Sequence, residues 1–227
     1  MGQISRDQSH AIMAALATNT DWDSIDFEGA GLQDRVMRDM VEAGRQFTTF
    51  LRNGARVIVG EPRIIPINRS MPFNPAEFVG AGWSIWRGPA NGNGLEGDEE
   101  QDARSLALTQ IDLSAIILKS TLKPGETVVN GEEKLKRLKT SGNIRLDAGA
   151  FKALWDNRYL IPTRFKEKTN GNTTFIYCDG TVLRSPGGGR RCVLYFCFGG
   201  GAWYWSCRWL DVGWRVDSPS AVLASQN

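Results

Sequence analysis

An α+β fold is what this chain predicts, with helices in its N-terminal part and antiparallel strands toward its C-terminus. Three features carry that expectation. Two stretches before residue 54 space their apolar residues at helical intervals. From Thr173 onward the pattern becomes short alternating runs cut by Gly-rich turns. In the last long run, tryptophans stand at 203, 205, 209 and 214, with chemically unrelated residues between them. The chain reads as a mixed α/β region, 1–140, followed by a second, increasingly strand-rich region, 141–227. A β-sandwich is the alternative architecture for the second region.

The elements follow in order. Residues 5–18 open on a capping serine and place Ile12, Met13 and Leu16 at helical spacing. A second helix is expected over 34–53, where Val36, Met40, Val41, Phe47, Phe50 and Leu51 form a stripe ended by Asn53-Gly54. Residues 56–59 and 63–67 read as short strands around a turn at 60–62. Residues 71–90, with three prolines and three glycines, read as irregular. The Gly-rich and then acidic stretch within 87–102 reads as a flexible loop that buries no apolar area. Strand-rich chain is expected over 105–122, a short basic helix with a solvated face over 132–139, and a helix over 147–157 capped by Asp147. Then come strands at 174–177, 181–183, 192–196, 203–209 and 221–223, divided by turns at Asp179-Gly180, 185–189 and 199–201.

Composition narrows the function classes. The chain is long enough for one large domain or two small ones, and 41% apolar with 23% charged residues is the balance of a soluble globular protein. No apolar run approaches the ~20 residues that cross a bilayer. The N-terminus lacks the basic and then apolar blocks of a signal peptide, and Arg6 stands where a myristoylation signal wants Ser or Thr. A cytoplasmic protein without a membrane partner is expected. Residues 1–110 carry 10 Arg/Lys against 15 Asp/Glu, and residues 111–227 carry 17 against 10. The spacing of Cys178, Cys192, Cys197 and Cys207 fits no zinc pattern, and the one histidine, His10, is far away. The cysteines therefore read as small buried or half-exposed residues, with no metal or cofactor expected.

On a strand, Trp203, Trp205, Cys207 and Trp209 share one face, and Tyr204, Ser206 and Arg208 the other. The first face can bury a large area and hold the backbone rigid. The second is then presented as a fixed surface of Tyr, Ser and Arg, residue types that give contact area at low entropy cost in antibody-like paratopes.

The segment Phe175-Ile176-Tyr177-Cys178-Asp179-Gly180-Thr181-Val182-Leu183-Arg184-Ser185-Pro186, followed by Val193-Leu194-Tyr195, the Trp203 to Trp214 frame and Pro219-Ser220-Ala221-Val222-Leu223-Ala224, resembles the C-terminal variable region of diversity-generating retroelement target proteins, in versions from bacteria of the candidate phyla. In that family a reverse transcriptase copies a template repeat, randomises its adenines and installs the copy in the target gene. The resemblance covers roughly residues 140–227. It implies a C-type-lectin-like C-terminal domain, a non-enzymatic ligand-binding role and a protein or other macromolecular partner. It also implies a scaffold of Trp203, Trp205, Trp209 and Trp214, whose codon holds no adenine. The variable positions it implies are Tyr204, Ser206, Cys207, Arg208, Val212, Gly213, Arg215, Asp217 and Ser218, with Arg190, Cys192, Cys197, Phe198 and Val216 as further candidates. The scaffold tryptophans should then be mostly buried, and Tyr204, Ser206, Arg208, Arg215 and Asp217 mostly exposed and contiguous. Randomised Asn codons cannot yield Lys, Glu, Gln, Met or Trp. Residues 169–225 hold no Lys, Glu, Gln or Met, against thirty in residues 1–168. The ending departs from the Gly-Phe-Arg common among lectin-fold targets, so a different β-rich fold stays open.

Two other readings compete. An enzyme reading has Asp21, Asp23, Asp26 and Glu28, interleaved with Ile25 and Phe27 in what reads as a solvated loop. There is no nucleophile–His pair and no Gly-rich phosphate loop between strand and helix. A nucleic-acid reading has Arg190, Arg191, Arg208 and Arg215 among Trp and Tyr, as stacking platforms require.

Overall fold

The computed structural model describes residues 5–19, 40–52 and 64–225. Chain contacts divide it into two units, Met1–Val59 and Gly60–Asn227.

In the first unit, α1 spans Arg6–Asn19 and α2 spans Met40–Arg52. Ser5 and Gln8 make a reciprocal cap: the Gln8 amide donates to Ser5 Oγ at 3.2 Å and the Ser5 amide to Gln8 Oε1 at 2.8 Å. On α2 the Phe47 and Phe50 rings stack at 6.0 Å. Residues 34–39 and 53 of the expected second helix lie outside the described residues. So do the expected strand at 56–59, the turn at 60–62 and the carboxylates at 21, 23, 26 and 28.

The second unit is mixed helix and sheet. Its elements run β1 (Ile64–Pro66), α3 (Pro75–Phe78), β2 (Ser84–Ile85), α4 (Ala103–Leu106), β3 (Gln110–Asp112), β4 (Ile117–Lys119), β5 (Val129–Asn130), α5 (Gly131–Thr140), β6 (Ile144–Arg145) and α6 (Ala148–Asp156). After two 3-10 turns come β7 (Phe175–Arg184), β8 (Arg191–Gly199), β9 (Ala202–Trp209), β10 (Gly213–Trp214) and β11 (Ser220–Leu223). The main sheet has the order β4-β11-β7-β8-β9, with β2 also on β7 and β6 also on β11. All its pairings are antiparallel except β11 with β7. The division between units falls near residue 60, not at 140. The reason is strand pairing: β4 and β6, which lie on either side of residue 140, both pair with β11. No helix among the described residues is long and apolar enough to cross a membrane.

Each face of the sheet carries its own core. On one, α6 brings Ala150, Phe151 and Leu154 against Ile176, Leu194 and Phe196. On the other, Leu135 of α5 joins Tyr177, Val182, Val193, Leu210 and Trp214. Ile176 and Cys178 face the first core, as does Leu183, whereas Val182 faces the second. The parity of β7 therefore flips between Cys178 and Leu183, where the pairing with β8 shifts register. Asp179-Gly180 is this irregularity inside one continuous strand, not the turn the dipeptide predicts. A Cβ at Gly180 would lie 2.2 Å from Arg145 O, so the β6–α6 backbone packs directly onto a residue without a side chain.

Three other expectations change. Residues 71–90 hold α3, whose Asn74 side chain caps Ala76 N with Pro75 in the first turn, and also β2. The loop over 87–102 is tied down: Arg87 N donates to Gly94 O, Gly88 N to Asp98 O, Glu100 N to Trp86 O and Arg184 Nε to Asn93 O. It does bury apolar area, because Gly94 lies on the buried Trp86 ring so closely that a Cβ would sit 2.5 Å from it. The basic helix, α5, is not wholly solvated either, because Lys134 is buried.

Buried and half-buried carboxylates hold the loops to the sheet. Asp147 caps α6 through Gly149 N and Ala150 N, pairs with Arg69 at 2.8 Å and accepts from Ser105 Oγ. Asp102 pairs with Arg104 and Arg145, and Glu100 with Arg191 and Lys139. Burial pushes these carboxyls up, but the hydrogen bonds and charges of their partners outweigh it and hold all three below their ordinary values. Their stabilisation is present above the unfolded carboxylate range, about pH 4, and is lost as pH falls through the lowered folded values. The thermal midpoint should therefore drop steeply on acidification below that range, and Asp147→Asn should be less stable at neutral pH with a shallower acid slope. A flat midpoint between pH 5 and pH 2 (roughly the span of such titrations) overturns the assignment.

Candidate binding face

The hairpin β8–β9 closes through Gly199-Gly200-Gly201, with Gly200 and Gly201 at φ 56° and 84°, conformations that favour glycine. Beyond it, β9 is the outer strand of the sheet and alternates as its sequence predicts. Trp203, Trp205, Cys207 and Trp209 pack on the α6-side core. Trp205 meets Phe78 at 4.7 Å, and Trp209 stacks on Trp83 at 6.1 Å. Tyr204 and Ser206 point the other way and are exposed, Tyr204 at 55%.

Register extends that outward face across three strands. Tyr204 lies opposite Cys197, which lies opposite Phe175. Ser206 lies opposite Tyr195, which lies opposite Tyr177. Paired residues project to the same side, so Phe175, Tyr195 and Cys197 form a half-buried floor beneath the β9 residues. The Phe175–Tyr195 and Tyr195–Tyr177 ring contacts, at 5.5 and 5.1 Å, make that floor continuous. Along the far side, Phe175 N donates to Asp217 O and Tyr177 N to Pro219 O, so the segment after β10 runs beside β7 as a rim. At one end Trp214 covers Tyr177 with ring centroids 4.0 Å apart, and Arg208 reaches over Trp214 while its Nη2 donates to Gly213 O at 2.8 Å.

Several candidate residues stand elsewhere than expected. Trp214 is fully buried, whereas Trp203, Trp205 and Trp209 are half-buried because β9 is an outer strand. Of the variable set, Tyr204, Ser206, Gly213 and Arg215 are exposed, and Val212, Arg208 and Asp217 are half-buried. Ser218 is buried at 7%: its amide donates to Arg215 O, turning the chain inward toward β11. Cys207 lies on the core side opposite Leu194. Cys192 is fully buried on the same side, where a hydrogen bond with Cys207 and burial push its thiol up. Cys197 alone of the four cysteines joins the outward floor, and all four are free thiols. Phe198 packs edge-on against Trp203, with Lys166 over its ring. Arg190 is held over Trp209 and paired with Asp211, and Arg191 is buried between Glu100 and Glu132. Two of the four arginines of the nucleic-acid reading are thereby engaged.

The sequence reading missed Phe175 and Tyr195 as parts of the face. It also missed Lys134 beneath it, whose Nζ lies 3.3 Å from both Asp179 carboxylate oxygens, 4.6 Å from the Tyr177 ring and 4.1 Å from the Trp214 ring. Burial pushes the Lys134 ammonium down to about 8, against the opposing pull of Asp179. A separate cleft of about 390 Å³, lined in part by Pro66, Phe73, Phe78 and Glu77, contains none of the candidate residues.

Compared with protein-family models, curated proteins and solved structures, the chain matches none.

Proposed function

We propose that the protein is a non-enzymatic binding protein of the diversity-generating retroelement type, its C-terminal unit C-type-lectin-like, with specificity held in side chains on the outward face of β9 and its rim. The observation that carries this reading is the alternation of β9. Its tryptophans are spent on packing against Phe78, Phe151 and Trp83, while Tyr204 and Ser206 stand exposed on the opposite face of the strand. Backbone geometry is then set by groups other than those that contact a ligand. Rigid presentation lowers the ordering cost of binding. The position set is narrower than the sequence implied: Tyr204, Ser206, Arg208, Val212, Gly213, Arg215 and Asp217 belong to it, and Ser218 and Cys207 serve the core.

The reading is tested by a library randomised together at Tyr204, Ser206, Arg215 and Asp217 with Tyr, Asp, Ser and Asn. Most members should be soluble, with thermal midpoints within a few degrees of the parent, since surface changes usually stay within ±0.5 kcal/mol. Randomising Cys192, Leu194, Cys207 and Ser218 in the same way should instead abolish folding in most members. If the first library aggregates as the second does, those positions are core and the reading is wrong.

A further inference from the structure

We propose that the partner of this face is a protein segment bearing carboxylates next to an aromatic or aliphatic side chain, an inference that rests on the display reading above. Charge carries the first half of the argument. Arg208 donates Nη2 to Gly213 O, and its Nε is buried without a hydrogen-bond partner, so a ligand would meet the outer end of the guanidinium. Its guanidinium is already positioned over Trp214, so little rotamer freedom is left to lose when a ligand arrives. Arg215 is exposed on the rim and has no ion pair among the described residues. Of the nearby carboxylates, Asp211 is bound by Arg190, whereas Asp217, which accepts from Ser218 Oγ at 3.2 Å, keeps its charge. The face therefore carries two guanidinium groups against one carboxylate without an ion pair among the described residues, a net positive charge, and guanidinium is the side chain best matched to a carboxylate's paired oxygens.

Surface chemistry carries the second half. Between the β9 side and the rim lies the floor of Phe175 and Tyr195, with the exposed Tyr204 beside it. Such a floor takes an apolar side chain that flanks the acidic group. A nucleic acid suits the face less well, because its affinity comes from neutralising several phosphates along a track. Arg190 and Arg191, which would lengthen the track, are engaged by Asp211, Glu100 and Glu132.

The test uses the full chain, labelled with ¹⁵N, and three probes: a synthetic peptide repeating Asp-Tyr-Glu-Gly, its counterpart repeating Asn-Tyr-Gln-Gly, and a thymidine oligonucleotide. The acidic peptide should shift amide resonances of residues 195–197, 204–208 and 213–217, and the neutral peptide should shift them at least tenfold more weakly. Arg215→Gln should weaken the acidic peptide severalfold with an unchanged thermal midpoint, and Arg208→Gln should do so more strongly. Because Arg208 also braces Trp214, Arg215→Gln decides the matter if Arg208→Gln unfolds. Equal shifts by both peptides, or no shifts at this face, overturn the acidic-partner inference. The display reading is then judged separately by whether the randomised library folds. Tighter binding of the oligonucleotide, lost steeply with salt, overturns the inference in favour of a nucleic-acid partner.

Discussion

Lys134→Ala is expected to destabilise the C-terminal unit by about 3–5 kcal/mol, the cost typical of breaking a buried ion pair by removing one partner. Lys134 and Asp179 are both almost wholly inaccessible, and Asp179 has no other cationic side chain within ion-pair distance among the described residues. Without the ammonium, a buried carboxylate stays behind in a low-dielectric site. The same change removes a cation that lies over both the Tyr177 and Trp214 rings. The pair need not be a net source of stability, since desolvating both charges offsets their attraction. The double variant Lys134→Met with Asp179→Asn should therefore be more stable than Lys134→Ala alone. Urea unfolding of the two variants and the parent checks this. A loss under about 1 kcal/mol for Lys134→Ala, below the range for a broken buried pair, shows that water reaches Asp179.

The parts of this architecture that were readable from sequence are those fixed by local chemistry. Asp147 as a cap, the period of α6 and the alternation of β9 need only neighbours within a few residues, and each stands where the pattern put it. The face was half readable for the same reason. Tyr204 and Ser206 follow from alternation, but Phe175 and Tyr195 join them through register across three strands, which no local window contains. Asp179-Gly180 was misread because the same dipeptide serves a turn and a bulge. What decides is the approach of the Arg145–Leu146 backbone to Gly180, a tertiary contact. Lys134 looked solvated because its helix is basic, while the partner that buries it lies 45 residues away. Asn74-Pro75, a helix-start signal of the ordinary kind, was legible but hidden among prolines that suggested irregular chain.

Among the four tryptophans the structure predicts a graded response, largest at Trp214. Trp214→Ala should cost about 3–5 kcal/mol, the range for deleting a large aromatic side chain from a core. Its ring is fully buried, lies 4.0 Å from the Tyr177 ring and 4.1 Å from Lys134 Nζ, and carries Arg208 on its outer side. Its Nε1 also donates to Trp209 O, tying β10 back to the end of β9. A Cβ at Gly131 would lie 2.6 Å from that nitrogen, so the first residue of α5 is packed against the indole as well. Trp203→Ala should cost less, because Trp203 is half-buried on an outer strand, and Tyr204→Ala should stay within about 0.5 kcal/mol as a surface change. Binding should respond in a different order. Tyr204→Ala should weaken a ligand of the outward face while leaving the thermal midpoint in place, because the residue contributes surface and little packing. Phe175→Ala should lower both, since that ring is at once floor and core margin. Thermal unfolding of the set, followed by titration of the folded variants, separates the two orders. If Tyr204→Ala unfolds the protein as readily as Trp214→Ala, the outward face is part of the core, and a ligand cannot be read by side chains that the fold itself requires.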